Sequence, residues 1–200
     1  MTEKPYETIL VDQDGVLAAF ATYNRIVVNA ALRYQEDKNQ ISQIKMIESG
    51  CYDISELWNL TREEWWSIIR NDPTFWIDIP MFVWAPDLVD KLRGLCDRLV
   101  VSTNPGSDED PRSPSQKTKW FSERQHILNI AGDDLMIGAQ KDLMAKPGVL
   151  LVDDSKHNVD AFIKAGGDAV LVPSDWNHRH HGLSVVWTTI EEYINVKREI

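Results

Sequence analysis

Two aspartates two residues apart, Asp12 and Asp14, close the apolar run "TILVDQDG". A hydrophobic strand that ends on neighbouring carboxylates puts negative charge where burial makes it costly. Side chains alternate along an extended chain, so positions 12 and 14 present both carboxyls to one side. A second acidic pair, Asp153 and Asp154, closes another apolar run, "VLLVDD". Ser102, Thr103 and Asn104 close "RLVVSTN", and Lys141 lies shortly before the second acidic pair. Carboxylates gathered in one place repel each other unless a cation joins them. An all-oxygen donor set with room for water suits Mg²⁺.

For these residues to meet, the runs that carry them must lie side by side. Five short runs rich in strand formers stand at 7–12, 98–103, 134–138, 149–154 and 168–173. They are continuously apolar, as in strands buried on both faces of a parallel sheet. Helical patterns separate them. "APDLVDKLRGL" has Pro86 and Asp87 in its first turn and Leu88, Leu92 and Leu95 along one face. "SQKTKWFSERQHIL" turns Trp120, Phe121 and Ile127 inward, and "SKHNVDAFIKAGG" stops on Gly166 and Gly167. Strand and helix in alternation predict a doubly wound, mostly parallel α/β sheet. In such sheets ligands bind beyond the carboxyl ends of the strands, where strand order reverses.

The 13–85 stretch breaks the rhythm. It shows helical patterns ("YNRIVVNAALRYQED", "TREEWWSIIRND") and many aromatics but no clear strand. A loop of that length is unusual inside a compact domain. The expected organisation is a core of residues 1–18 and 81–200 with a small helical cap lobe, 19–80, inserted after the first strand.

Composition narrows the function classes. The 200 residues carry a net charge of −10, which repels a long nucleic acid. A small anionic substrate stays compatible if a metal ion and a few lysines reverse the local field. No apolar run approaches the roughly 20 residues of a membrane span, and "MTEKPYETIL" shows no secretory pattern. Cys51 and Cys96 form no ligand spacing and read as reduced thiols of a cytoplasmic protein. His178, His180 and His181, in "DWNHRHHG", read as a solvated loop rather than a metal site.

The ordered motifs resemble the haloacid dehalogenase-like (HAD) phosphatases. "DQDGV" resembles their D-x-D-G signature and "LVVSTN" their second motif. Lys141 is similar to the third-motif lysine, and "VLLVDD" resembles the closing acidic pair. "VDQDGVLAAF", "KTKW" and "LLVDD" more closely resemble the 5'(3')-deoxyribonucleotidase branch. The resemblance implies an Mg²⁺-dependent phosphomonoesterase acting on deoxyribonucleoside monophosphates through an aspartyl-phosphate. It implies Asp12 as nucleophile, Asp14 as general acid and then base, and Lys141 as the charge-neutralising lysine. Thr103 and Asn104 would hold phosphate, with Lys117 assisting. Asp12, Asp14, Asp154 and Asp153 would ligate the metal, Asp154 being the first choice of the closing pair. Phe20, and Phe75 or Trp76, would cover a base, since aromatic faces stack on bases; packing of the lobe against the core is the alternative for these rings, as for Trp65 and Trp66.

Two departures stand out. "KPG" at 146–148 lengthens the spacing after Lys141 and makes Lys146 a rival for the lysine role. Gln13 stands where the branch often has an apolar residue; it is expected to point away from the pocket with little consequence. The expected partner is a small phosphate ester, with no long nucleic acid and no membrane, and a homodimer is left open. Alternatives are a HAD phosphatase on another small ester or on a nucleic-acid 3'-phosphate end. A receiver-like phospho-acceptor domain is the reading without turnover.

Overall fold

The computed structural model describes residues 4–35, 55, 58–106, 108–174, 177 and 183–198. Its centre is a five-stranded parallel sheet in the order β3-β2-β1-β4-β5. The strands are β1 (Tyr6–Asp12), β2 (Cys96–Thr103), β3 (Leu135–Ile137), β4 (Val149–Asp153) and β5 (Asp168–Leu171). The helices are α1 (Phe20–Gln35), α2 (Arg62–Asn71), α3 (Phe75–Asp78), α4 (Ala85–Arg93), α5 (Ser113–Leu128), α6 (Lys156–Lys164) and α7 (Leu183–Arg198). Lys141–Met144 forms a single 3₁₀ turn.

The continuous apolar runs become strands because both faces of the sheet are covered. Ile9 and Val11 of β1 enter one buried cluster with Leu88 and Leu92 of α4, Trp120 and Phe121 of α5, and Val186, Ile190 and Ile194 of α7. Leu10 points the other way, to Leu151, Val159 and Phe162. The alternation that sends neighbours to opposite faces is the period of the strand itself. The chain builds outward from β1 to β2 and β3, then crosses to β4 on the other side of β1. The order reverses beside β1, and β1 is the strand that ends on Asp12.

Beyond β1 the backbone turns tightly. Leu17 and Ala18 donate N–H groups to the Gln13 carbonyl, and Gly15 donates to Ala18. Gly15 has φ of 81°, a left-handed conformation that favours glycine. The chain leaves the sheet at Leu17–Ala19 and returns beside itself: Ala19 donates to Pro80 O, and Phe82 donates to Leu17 O. Between these points α2 opens with a capping box in which Thr61 and Glu64 satisfy each other's backbone N–H groups. Trp65, Trp66, Phe75, Trp76 and Ile79 of this stretch join the same buried cluster as the sheet. Trp120 ties α5 to it by donating Nε1–H to the Ile79 carbonyl at 2.7 Å.

Two details differ from the sequence reading, and one helix was not anticipated by it. Ile127 faces outward, and Leu128 is the buried residue at the end of α5, because a helix advances about 100° per residue. The 134–138 run pairs over only three residues, Leu135–Ile137. The helix α7, with buried residues four apart, extends the layer on the α4 face. Cys96 is a buried free thiol, whereas Cys51 and the histidines at 178, 180 and 181 lie outside the described residues.

Gln13 is fully buried, and neither side-chain amide atom finds a partner among the described residues. A buried amide without hydrogen bonds costs about 1–3 kcal/mol. Gln13→Met, close in volume and without polar groups, is expected to raise the stability in urea unfolding by about that amount. A loss of stability would show that the amide is paired in solution.

Candidate functional site

The carboxyl ends of β1, β2 and β4 bring the acidic residues together. Asp12 and Ser102 are register partners across β1 and β2, and Val11 pairs with Val152, the residue before Asp153. Asp12, Asp153 and Asp154 each offer a carboxylate oxygen within 4.8 Å of the others, and all three are buried. Lys141, 3% exposed, reaches in from the 3₁₀ turn. Its Nζ lies 2.7 Å from Asp12 Oδ1 and 2.7 Å from Asp153 Oδ2. Asp12 Oδ1 also accepts the Gln13 backbone N–H at 2.8 Å.

The two members of the closing pair have different surroundings. Asp153 is saturated: Lys141, the Ser155 N–H and the Asn158 amide all donate to it. Asp154 Oδ2 is buried with no partner among the described residues. The Asn177 amide donates to the Asp154 carbonyl at 2.7 Å and holds that backbone in place.

A second group forms around Lys117 of α5, 2% exposed. Its Nζ donates to Asp14 Oδ2 at 2.5 Å, Thr103 Oγ1 at 3.2 Å and the Asn104 carbonyl at 2.7 Å. The Trp76 ring centroid lies 4.5 Å from the same ammonium, a cation–π distance. Asp14 Oδ1 is buried and unpartnered among the described residues.

Electrostatics follow from this crowding. Burial, with Asp153 and Asp14 nearby, pushes Asp12 up to about 7 against the pull of Lys141. Burial together with Asp12 and Asp153 pushes Asp154 well above the carboxylate range. Burial opposes the charge on Lys141, but Asp12 and Asp153 outweigh it and raise its pKa. With all four carboxyls ionised they would face two ammoniums with an excess of two negative charges, and the raised Asp12 and Asp154 show protons taking up that excess. Two unpaired buried oxygens and this excess suit a hard divalent cation.

The structure thus assembles Asp12, Asp14, Thr103, Asn104, Lys117, Lys141, Asp153 and Asp154 at one edge of the sheet. Lys146 lies elsewhere: it is exposed and pairs with Glu7 near the opposite end of β1. Phe75 and Trp76 are buried in packing, Phe75 at 0% and Trp76 at 3% exposure. The Trp76 ring is stacked on Phe20 at 5.6 Å and 11°. Phe20 alone of the three is partly exposed. Trp65 and Trp66 are likewise buried, so the packing alternative describes these rings as they stand. Sequence reasoning did not single out Asn158, Asn177 or Asp110, which hold site residues in place; lone polar residues in loops and on a helix carry no spacing that marks them.

The profile of the family "5' nucleotidase, deoxy (Pyrimidine), cytosolic type C protein" matches residues 6–199. The chain belongs to this family. It is a HAD-like phosphatase. Comparison with curated proteins gives no match. Solved structures share the fold at low identity. A haloacid dehalogenase-like hydrolase from Xanthomonas campestris is similar at 10% identity over 100% of this chain and 97% of its own, with TM-score 0.56. A haloacid dehalogenase-like hydrolase from Streptococcus pneumoniae is similar at 12% identity over 94% and 91%, with TM-score 0.53. Protein Tyrosine Kinase A of Mycobacterium tuberculosis is similar at 16% identity over 92% and 88%, with TM-score 0.56. A receiver-like assignment has no support: β3 carries no carboxylate where the acceptor of such a domain would stand. No described helix is long and apolar enough to cross a membrane.

The raised carboxyls make a pH-dependent prediction. A group whose folded pKa lies above its unfolded value binds more protons in the folded state. Stability is then full below the unfolded pKa and falls as pH rises to the folded one. For Asp12 that window runs from 3.8 to about 7. In EDTA the thermal midpoint is expected to drop across this window, and Mg²⁺ at neutral pH is expected to restore it. A midpoint indifferent to both would contradict a buried carboxylate cluster that takes a cation.

Proposed function

We propose that the protein is an Mg²⁺-dependent phosphomonoesterase that hydrolyses deoxyribonucleoside monophosphates in the cytoplasm. The reading rests above all on one observation: Asp12, Asp14 and Asp154 converge with Lys117 and Lys141 at the switch point of the sheet, with two buried carboxylate oxygens unpaired among the described residues. The family match supports the nucleotide class.

Asp12 attacks phosphorus, and the P–O bond to the leaving oxygen breaks. Asp14 donates its proton to that oxygen, so the alcohol departs neutral. Water then attacks the aspartyl-phosphate, Asp14 takes a proton from it, and phosphate leaves with Asp12 restored. Lys141 neutralises charge beside Asp12, while Thr103 and the Asn104 backbone hold phosphate oxygens. Asp12, Asp14 and Asp154 are the residues suited to hold Mg²⁺; when bound it offsets carboxylate and phosphate charge. Asp153, saturated by Lys141, Ser155 and Asn158, supports Lys141 rather than the ion. The described helices α1, α2 and α3 serve as a lobe beside the site, and the partly exposed Phe20 offers a face to the base.

Phosphate release from 5'- and 3'-mononucleotides, sugar phosphates and a 3'-phosphorylated oligonucleotide tests the substrate class. Deoxyribonucleoside monophosphates are expected to turn over fastest, EDTA to stop the reaction and Mg²⁺ to restore it. Fastest turnover of a sugar phosphate or the oligonucleotide would overturn the substrate assignment. Asp12→Asn is expected to abolish turnover with the fold intact by circular dichroism; full residual activity would remove the nucleophile assignment.

A further inference from the structure

Asp110 lies in the loop between β2 and α5, outside the catalytic cluster, and is completely buried. It accepts the Trp76 Nε1–H at 3.1 Å through Oδ2. Arg112 meets the same carboxylate from its backbone N–H at 3.0 Å, Nε at 2.9 Å and Nη2 at 2.8 Å. The other Arg112 donors reach the carbonyls of Asp72 at 3.1 Å and Ile69 at 3.5 Å, at the end of α2. One buried carboxylate therefore fixes the edge of the Trp76 ring and, through Arg112, the helix before it. Burial would raise the Asp110 pKa, but the hydrogen bonds from Arg112 and Trp76 outweigh it and keep the carboxyl ionised.

The ring so fixed covers Lys117. Lysine has three donors, and the Lys117 donors are spent on Asp14, Thr103 and the Asn104 carbonyl. The Trp76 face occupies a further side of the ammonium at 4.5 Å and keeps water from it. An indole free to roll would uncover Lys117 and loosen its hold on Asp14.

We infer that Asp110 is a positioning residue for the reaction, acting through Trp76 and Lys117 on the carboxyl of Asp14. The inference rests on the reading of Asp14 as the proton donor. A misaligned donor matters most where the leaving oxygen is strongly basic. Phenyl phosphate and p-nitrophenyl phosphate are matched in shape, lack a base, and differ chiefly in leaving-group basicity. kcat/KM on each reports the step in which the ester bond breaks.

Asp110→Ala is expected to lower kcat/KM on phenyl phosphate about tenfold and on p-nitrophenyl phosphate about twofold or less. Trp76→Phe keeps a ring but removes the N–H; it is expected to show the same selectivity, and it serves as the test if Asp110→Ala fails to fold. The double variant is expected to lose no more than the worse single one. Equal losses on both esters, or losses that multiply in the double variant, would overturn the inference. Asp14→Asn separates the two readings. If it discriminates between the esters and the Asp110 and Trp76 variants do not, only the inference fails; if Asp14→Asn does not discriminate, the proton-donor reading fails with it.

Discussion

Lys141 wedged between Asp12 and Asp153 is the contact on which the rest depends. Carboxylates crowded at the end of a buried sheet repel one another, and desolvation adds to the cost. One ammonium, itself buried, bridges the strand that opens the fold to the strand that closes the site. Removing one partner of such a buried pair costs about 3–5 kcal/mol. The compensation is incomplete, since the cluster retains excess negative charge and Asp12 stays high at about 7. The fold leaves this imbalance at the point where its strand order reverses, in a buried cluster of carboxylates that could hold a metal ion.

Much of this was legible in the sequence because it is carried by short-range pattern. The apolar runs declare the strands, their polar last residues declare the edge, and the spacing of Asp12 and Asp14 survives any rearrangement elsewhere. Lys141 could be named from motif order, though not its place between two carboxylates, which depends on the 3₁₀ turn. The choice between Asp153 and Asp154 was not legible. The difference between them lies in Ser155 and Asn158, which donate to Asp153, while Asp154 Oδ2 has no partner among the described residues. The burial of Gln13 was not legible either, since position 13 alone does not show how the strand end is covered.

The aromatic residues show the opposite limit. Phe75 and Trp76 could be read as a base platform or as packing, and a sequence holds nothing that separates the two. In the folded chain Trp76 has Phe20 stacked on it, Lys117 over its ring and Asp110 at its edge. Those partners come from α1, α5 and the loop before α5. The inserted helices are therefore joined to the catalytic edge by polar contacts as well as by apolar packing. A change at Trp76 therefore reaches Phe20, Lys117 and Asp110 together.

A crystal structure grown with Mg²⁺ and beryllium trifluoride, a mimic of the aspartyl-phosphate, addresses the central claim most directly. The account places the beryllium on an Asp12 carboxylate oxygen, with the ion ligated by Asp12, Asp154 and the Asp14 backbone, and with Lys141 beside the fluorides. An adduct on another side chain, or an ion that leaves Asp154 unligated, would contradict it.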